Sequence, residues 1–494
     1  MASIEEIRNT RLEKLHILEQ KGVSAYPTTT ERECTLLEAA EKFDTLSKKK
    51  TLALAGRVMS LRPQGGLIFC TLDDGTGRFQ GLIKKDSVDA EIFDFFSQVV
   101  DIGDFIEVHG TLFLTKRNEK TVEIKTWRML AKSLRPLPEK WHGLQDIEER
   151  FRHRYLDMLM SSEVKKRFII RSKVITEIRR YFDENGFLEV ETPMLQSHAG
   201  GATALPFTTH HEALDIEMYL RIAPELFLKR LLVGGFPKVY EIGRNFRNEG
   251  IDVTHNPEFT MLEWYEAYSD ASKQMIFAEG LLKHIVQTVF GTNTVSWEGK
   301  EVDFSKKFSA SSYFDLLKKH SAIKNPETVT LAEITEYAEK AGVKVEQGDT
   351  IPRLMDAIYK KTCRPKLIDP TFITDYPVEY LPLAKRNSQN PKAVDAFQLV
   401  IGGLEVVKAF SELNDPIDQK MRFNEQEQQK KGGDAEAQTT DREYLEAMEY
   451  GMPPAGGAGI GIDRLVMILT NQHNIREVIL FPTLRPKDVG GKKD

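Results

Sequence analysis

The chain has 494 residues, 29% of them charged and 41% hydrophobic, with a net charge of −6. That length exceeds one core and predicts two or three domains, in a balance ordinary for a globular protein. No apolar run approaches the ~18 residues of a membrane span, and the start Met1-Ala2-Ser3-Ile4-Glu5-Glu6 lacks the basic and apolar segments of a signal peptide.

Residues 1–45 are expected to form a helical extension. Within them, residues 3–21 have an amphipathic pattern: Ser3 and Glu6 form a capping box, Ile4, Ile7, Leu12, Leu15 and Leu18 fall along one face, and Gly22 can end the helix. Residues 46–138 then change to short strands. Leu52–Val58, Leu67–Leu72, Phe79–Ile83, Phe105–Val108 and Thr121–Ile124 are five strand-like runs, with a helical patch near Ala90–Val99 between the third and fourth. That is the outline of an OB-fold barrel, a fold that binds single-stranded nucleic acid by stacking bases on aromatics. Residues 46–140 carry 16 Lys and Arg against 12 Asp and Glu, a net +4, which leaves −10 for the remainder. A mildly basic module on an acidic body suits RNA held at chosen places, although a solvated basic face has the same composition. Cys34, Cys70 and Cys363 match no zinc spacing and are expected to be reduced, as in a cytoplasmic protein.

Pro136-Leu137-Pro138 marks a linker. Beyond it, residues 139–488 are expected to form an α+β domain. Lys165–Asn185 has helical periodicity and stops at Gly186, residues 270–345 form a largely helical insertion, and residues 425–440 are polar enough for a mobile loop. A short tail, 489–494, carries Lys492 and Lys493.

The strongest chemical signal is Arg247-Asn248-Glu249 followed by His255-Asn256-Pro257-Glu258-Phe259. An arginine and a glutamate two apart on a strand face one pocket. The guanidinium fork holds a phosphate or carboxylate, the glutamate accepts from a base amino group, and Phe259 offers a purine an aromatic face. Two further segments accompany it. Gly186-Phe187-Leu188-Glu189-Val190-Glu191-Thr192-Pro193 has a helix end, a strand and a proline that stops pairing. Gly456-Gly457-Ala458-Gly459-Ile460-Gly461-Ile462-Asp463-Arg464 is glycine-rich yet lacks the spacing of a dinucleotide loop or a P-loop. Glu405 and Glu412, in Leu404–Asp415, are two carboxylates of the kind magnesium takes alongside substrate phosphates.

Together these segments resemble motifs 1, 2 and 3 of the class II aminoacyl-tRNA synthetases, and their flanks are similar to the lysyl-tRNA synthetases of the bacterial type. The resemblance spans nearly the whole chain. It implies a homodimer built on motif 1, and ATP held by Arg247, Glu249, His255, Phe259 and Arg464, with Arg247 and Arg464 acting in catalysis. It also implies magnesium on Glu405 and Glu412, and lysine read by Gly201, Glu225, Glu263, Tyr265 and Asn414. In the barrel, Arg57, Phe69 and Gln80 match positions that read the anticodon of tRNA(Lys). Val407 and Lys408 depart from the family pattern, which more often has a small residue and asparagine there. The expected activity is ATP-dependent formation of lysyl-adenylate and transfer of lysine to tRNA. The nearest alternatives are aspartyl and asparaginyl enzymes, which an acidic pocket at Glu225 and Glu263 disfavours. A lysine ligase acting on protein would lack the barrel, and a non-catalytic RNA-binding regulator would lose Arg247, Arg464 or Glu412.

Overall fold

The computed structural model describes residues 3–138, 144, 146–202, 204–346, 348–431 and 440–487. The chain divides into two compact units, Met1–Leu144 and Gln145–Asp494.

In the first unit, helix α1 (Ile4–Gln20) starts at Ser3, which makes the expected capping box with Glu6. Five strands follow: β1 (Leu52–Gln64), β2 (Leu67–Asp73), β3 (Arg78–Lys84), β4 (Phe105–Leu114) and β5 (Lys120–Ala131), with α2 (Ala90–Val99) between β3 and β4. They close into a barrel in the order β1-β2-β3-β5-β4, the OB outline expected from the sequence. Alternation along β2 sends Ile68, Cys70 and Leu72 inward and leaves Leu67, Phe69, Thr71 and Asp73 on the outer face. Leu18 of α1 and Phe93, Phe96 and Val99 of α2 complete that core.

The second unit is built on one large sheet. Its elements in chain order are α3 (Ser162–Glu184), β6 (Leu188–Glu189), α4 (Glu225–Val233), β7 (Lys238–Phe246), β8 (Glu258–Ala267), α5 (Ala271–Phe290), β9 (Ser309–Ser312), β10 (Thr371–Thr374), β11 (Ala396–Ile401), β12 (Leu404–Ser411), α6 (Pro416–Lys431), β13 (Ala455–Gly461) and α7 (Ile462–Leu469). The strand order is β9-β10-β11-β12-β13-β8-β7-β6. Pairing is antiparallel except at the two ends, where β9–β10 and β6–β7 are parallel. Tyr240, Leu262 and Trp264 point from β7 and β8 into the core, against Val174, Ile178 and Phe182 of α3 and Leu281, Leu282 and Ile285 of α5. The opposite face of the same strands is left for chemistry.

Two expectations need correcting. The segment 270–345 is no helical appendage: α5 buries its apolar stripe in the central core, and β9 pairs at the edge of the main sheet. The polar run from 425 is helical as far as Lys431, as the end of α6. Residues 432–439 of that run, and the 489–494 tail, lie outside the described residues.

Candidate active site

Strand register brings the chemical residues together. Across β7 and β8, Glu241 stands opposite Glu263 and Asn245 opposite Phe259. Across β8 and β13, Glu263 faces Gly459 and Tyr265 faces Gly457. Across β13 and β12, Gly459 faces Lys408 and Gly457 faces Phe410. Paired residues project to the same side of a sheet, so these rows form a floor. Above it lies a cavity of about 300 Å³, the size of a small-molecule site, lined by Gly201, Glu225, Arg247, Glu249, His255, Phe259, Glu263, Tyr265, Glu405, Lys408 and Arg464 among others. Glycine is required in this floor for space. A Cβ on Gly457 would collide with the Tyr265 ring and Glu412 Oε1, and one on Gly459 would come within 2.5 Å of Met261 Cε.

At one end of the cavity, the Arg247 guanidinium lies 5.1 Å from the Phe259 ring centre. Its Nε is buried without a hydrogen-bond partner, and no ion pair engages the side chain among the described residues. Burial lowers its pKa, opposed by the nearby charges of Glu249 and Glu263. Arg464 Nη2 lies 2.9 Å from His255 Nε2, and His255 Nδ1 lies 2.8 Å from Asp252. An arginine can only donate, so Nε2 accepts and the ring proton sits on Nδ1, towards Asp252. Asp463 accepts from the Thr260 amide at 2.7 Å and from Arg171 at 2.6 Å, which pins the start of α7 to β8.

The other end is acidic. Glu225 opens α4, and Lys229, one turn on, reaches its Oε1 at 2.5 Å while also pairing with Glu412. Tyr265 donates to Glu263 at 3.1 Å. Glu225 and Glu412 therefore share one buried ammonium, and Glu263 beside them has no ion pair among the described residues. Burial, together with Glu225, pushes the Glu263 pKa up to about 8. Burial and Glu225 press Glu412 upward too, against the pull of Lys229. Lys229 itself is held above its ordinary range by Glu225 and Glu412 despite burial. Behind this end, Arg221 is fully buried and pairs with Glu241. Arg221 occupies the space a side chain at 243 would need, which is why glycine stands there.

The cavity thus joins an unpaired guanidinium stacked on an aromatic ring to an under-neutralised acidic pocket. Comparison with known proteins places this arrangement. A family model described as tRNA synthetases class II (D, K and N) matches residues 146–485. A second, described as an OB-fold nucleic acid binding domain, matches residues 52–130. The chain belongs to the class II tRNA synthetases. It is 47% identical to a lysine–tRNA ligase of Pelotomaculum thermopropionicum, over 98% of this chain and 96% of that one. It is also 47% identical to one of Syntrophomonas wolfei, over 98% of both. To one of Bacillus cereus it is 45% identical, over 97% of both.

For a class II tRNA synthetase, one expected ligand, Asn414, falls outside the cavity lining. Glu405 and Glu412 have different surroundings, Glu405 on the cavity lining and Glu412 against Lys229. Glu405 lines the cavity, and among the described residues no ion pair engages its carboxylate. That side chain suits a hard cation on phosphates. Glu412 is 1% exposed and pairs with Lys229. Asn414 does not line the cavity: its Oδ1 accepts from Lys385 at 2.8 Å and its Nδ2 donates to the Met452 carbonyl at 3.2 Å. Conversely, Lys229, Asp463 and Lys408 belong to the site or its support. The Glu225–Lys229 spacing of one helical turn was the available signal for the first.

In the barrel of this synthetase, Arg57, Phe69 and Gln80 share one outer face, because Arg57 pairs with Asp73, and Thr71 with Gln80, along the Phe69 side of β2. Phe69 is half-buried and outside the barrel core. Arg57 lies 4.2 Å over the Phe105 ring, and Gln80 is buried, donating to Thr121 at 2.8 Å and accepting from Arg62 at 3.2 Å. Arg62, opposite Phe69, was missed by sequence reasoning and joins this face. Among the described residues, one acid–histidine group, Glu31, Glu107 and His109, has metal-ligand spacing. Arg128 already engages both Glu107 oxygens, at 2.7 and 3.1 Å. No described helix is long and apolar enough to cross a membrane.

Proposed function

We infer that the chain is a lysine–tRNA ligase, which condenses L-lysine with ATP to lysyl-adenylate and pyrophosphate and then passes the lysyl group to the 3′ end of tRNA(Lys). The observation that carries the reading is the acidic end of the cavity. Glu225 and Glu412 share Lys229, while the buried Glu263 accepts a hydrogen bond from Tyr265 and has no ion pair among the described residues, and buried negative charge demands a cation. A substrate with two ammonium groups supplies it: the α-ammonium meets Glu225, and the ε-ammonium meets Glu263, Tyr265 and Glu412. An aspartate side chain would meet repulsion instead.

The carboxylate then points along the floor to Arg247, which also takes the α-phosphate. Adenine stacks between Phe259 and Arg464, its amino group donating to Glu249, while His255 lies by the outer phosphates. Attack of a carboxylate oxygen on the α-phosphorus breaks the bond to the bridging oxygen, and pyrophosphate leaves with the electron pair. No proton need move, so positioning and charge neutralisation dominate. Magnesium, when bound, screens phosphate charge, and Glu405 would hold it. Arg57, Phe69 and Gln80 read the anticodon, with Phe69 stacking on a base.

Two further parts of the proposal concern assembly and place. Leu188, Met194 and Leu195 are 47%, 45% and 46% exposed on the motif 1 segment, where a second copy would cover them, as in a homodimer. The enzyme works in the cytoplasm, beside the tRNA it charges. The test is pyrophosphate exchange with each standard amino acid. Lysine alone is expected to drive exchange, and exchange with aspartate or asparagine instead would overturn the reading.

A further inference from the structure

Resting on the lysine-activating reading above, we propose that Lys408 is a further catalytic residue: its ammonium binds the lysine carboxylate at the point where it meets the α-phosphate, as a second cation beside Arg247. The two fully buried lysines of the described chain are both ion-paired, Lys132 with Asp101 and Asp104, and Lys229 with Glu225 and Glu412. Lys408 lines the cavity, half-buried, and no ion pair or hydrogen bond engages its ammonium among the described residues. A lysine brought out of water without a partner is costly, and a ligand anion removes the cost.

Its place on the floor identifies the anion. The row Tyr265–Gly457–Phe410 lies at the acidic end, where the ammonium groups go. The next row is Glu263–Gly459–Lys408, and beyond it Met261 faces Gly461 on the way to Phe259 and the nucleotide. Lys408 therefore stands between the amino-acid end and the nucleotide end. Over Gly459, the room left by its missing side chain is taken by the Met261 methyl and the Glu263 stem. The groups that meet there are the attacking carboxylate and the α-phosphate, both anionic. During attack the new oxygen–phosphorus bond forms as the bond to pyrophosphate breaks. Lys408 stays protonated throughout and supplies charge only. Burial lowers the Lys408 pKa, opposed by the charges of Glu405 and Glu225 and reinforced by that of Arg247.

The test compares lysine with lysinol, which keeps both ammonium groups but has no carboxylate. In full-length protein, Lys408→Met is expected to weaken lysine binding about ten- to a hundredfold, the worth of a hydrogen bond to a charged group, and to leave lysinol binding unchanged. Lys408→Arg should restore most of the difference. Lys408→Gln provides a second neutral variant, and unchanged adenosine binding checks that the pocket is intact. Equal losses for lysine and lysinol would mean a packing role, and no loss for either would mean no contact; both overturn the proposal. The wild-type exchange assay separates these outcomes from failure of the function itself, because a wild type that activates lysine leaves the functional reading standing whatever Lys408 does.

Discussion

Lysine binding should expel a proton from the acidic pocket. Burial and the charge of Glu225 raise the Glu263 pKa from 4.5 to about 8, and Tyr265, Arg247, Arg221 and Glu412 are the other charged or titratable groups around it. The sign follows directly: below pH 8 the free site holds a proton that an incoming ammonium must displace, so affinity strengthens as pH rises. At pH 7 about nine-tenths of free sites are protonated, and if the bound carboxylate returns to its ordinary range, about 0.9 proton leaves per lysine. By the same linkage, affinity should increase about fiftyfold between pH 6 and pH 8 and level off above. Isothermal titration calorimetry at pH 7 in buffers of different ionisation enthalpy measures the released proton. Glu263→Gln, which cannot take up a proton, should bind lysine more weakly and release fewer protons than wild type. Wild type that binds lysine with no buffer dependence, or a Glu263→Gln variant that releases as much as wild type, would refute the assignment of the ε-ammonium to this carboxylate.

The remaining predictions separate the parts of the site. Glu405→Gln should raise the magnesium concentration needed for pyrophosphate exchange and leave lysine affinity alone, whereas Glu412→Gln should cost roughly two orders of magnitude in lysine affinity without moving the magnesium midpoint; the reverse pattern would restore Glu412 to the metal. Gly457→Ala should abolish lysine binding measured by calorimetry while adenosine still binds, since its Cβ would strike Tyr265 and Glu412. Phe69→Ala should cost about 1–3 kcal/mol of tRNA affinity, measured by filter binding, with exchange unaffected; a parallel loss in exchange would make Phe69 a structural residue.

Much of this architecture was legible in the sequence, because barrel strands alternate and Phe259 falls on β8; Arg247 and Glu249, expected on a strand, instead lie just past the end of β7. What was not legible depends on register. Glu405 and Glu412 are an odd number apart, so on a regular strand only one could face the cavity. An irregularity near Val406, where Glu405 pairs with Val400 but Val407 with Leu399, turns Glu405 onto the cavity face. No local composition announces such a bulge. Asn414 lies just past the same strand, and its orientation is decided by Lys385, 29 residues earlier. Helix α5 appeared detachable because its apolar stripe looks the same whether it covers an insertion or the central core.

The sheet that floors the cavity also limits how substrate length can be measured. Along a strand, positions that share a face recur every ~6.6 Å, and across strands every ~4.8 Å, and one methylene is shorter than either step. Moving a charged group to a neighbouring row could therefore never tell lysine from a homologue one carbon longer or shorter. That discrimination has to reside in the reach of the side chains standing on the floor, a glutamate where an aspartate would fall short. Shortening Glu412 to aspartate would thus retune the pocket by one carbon, towards homolysine, with the backbone unmoved.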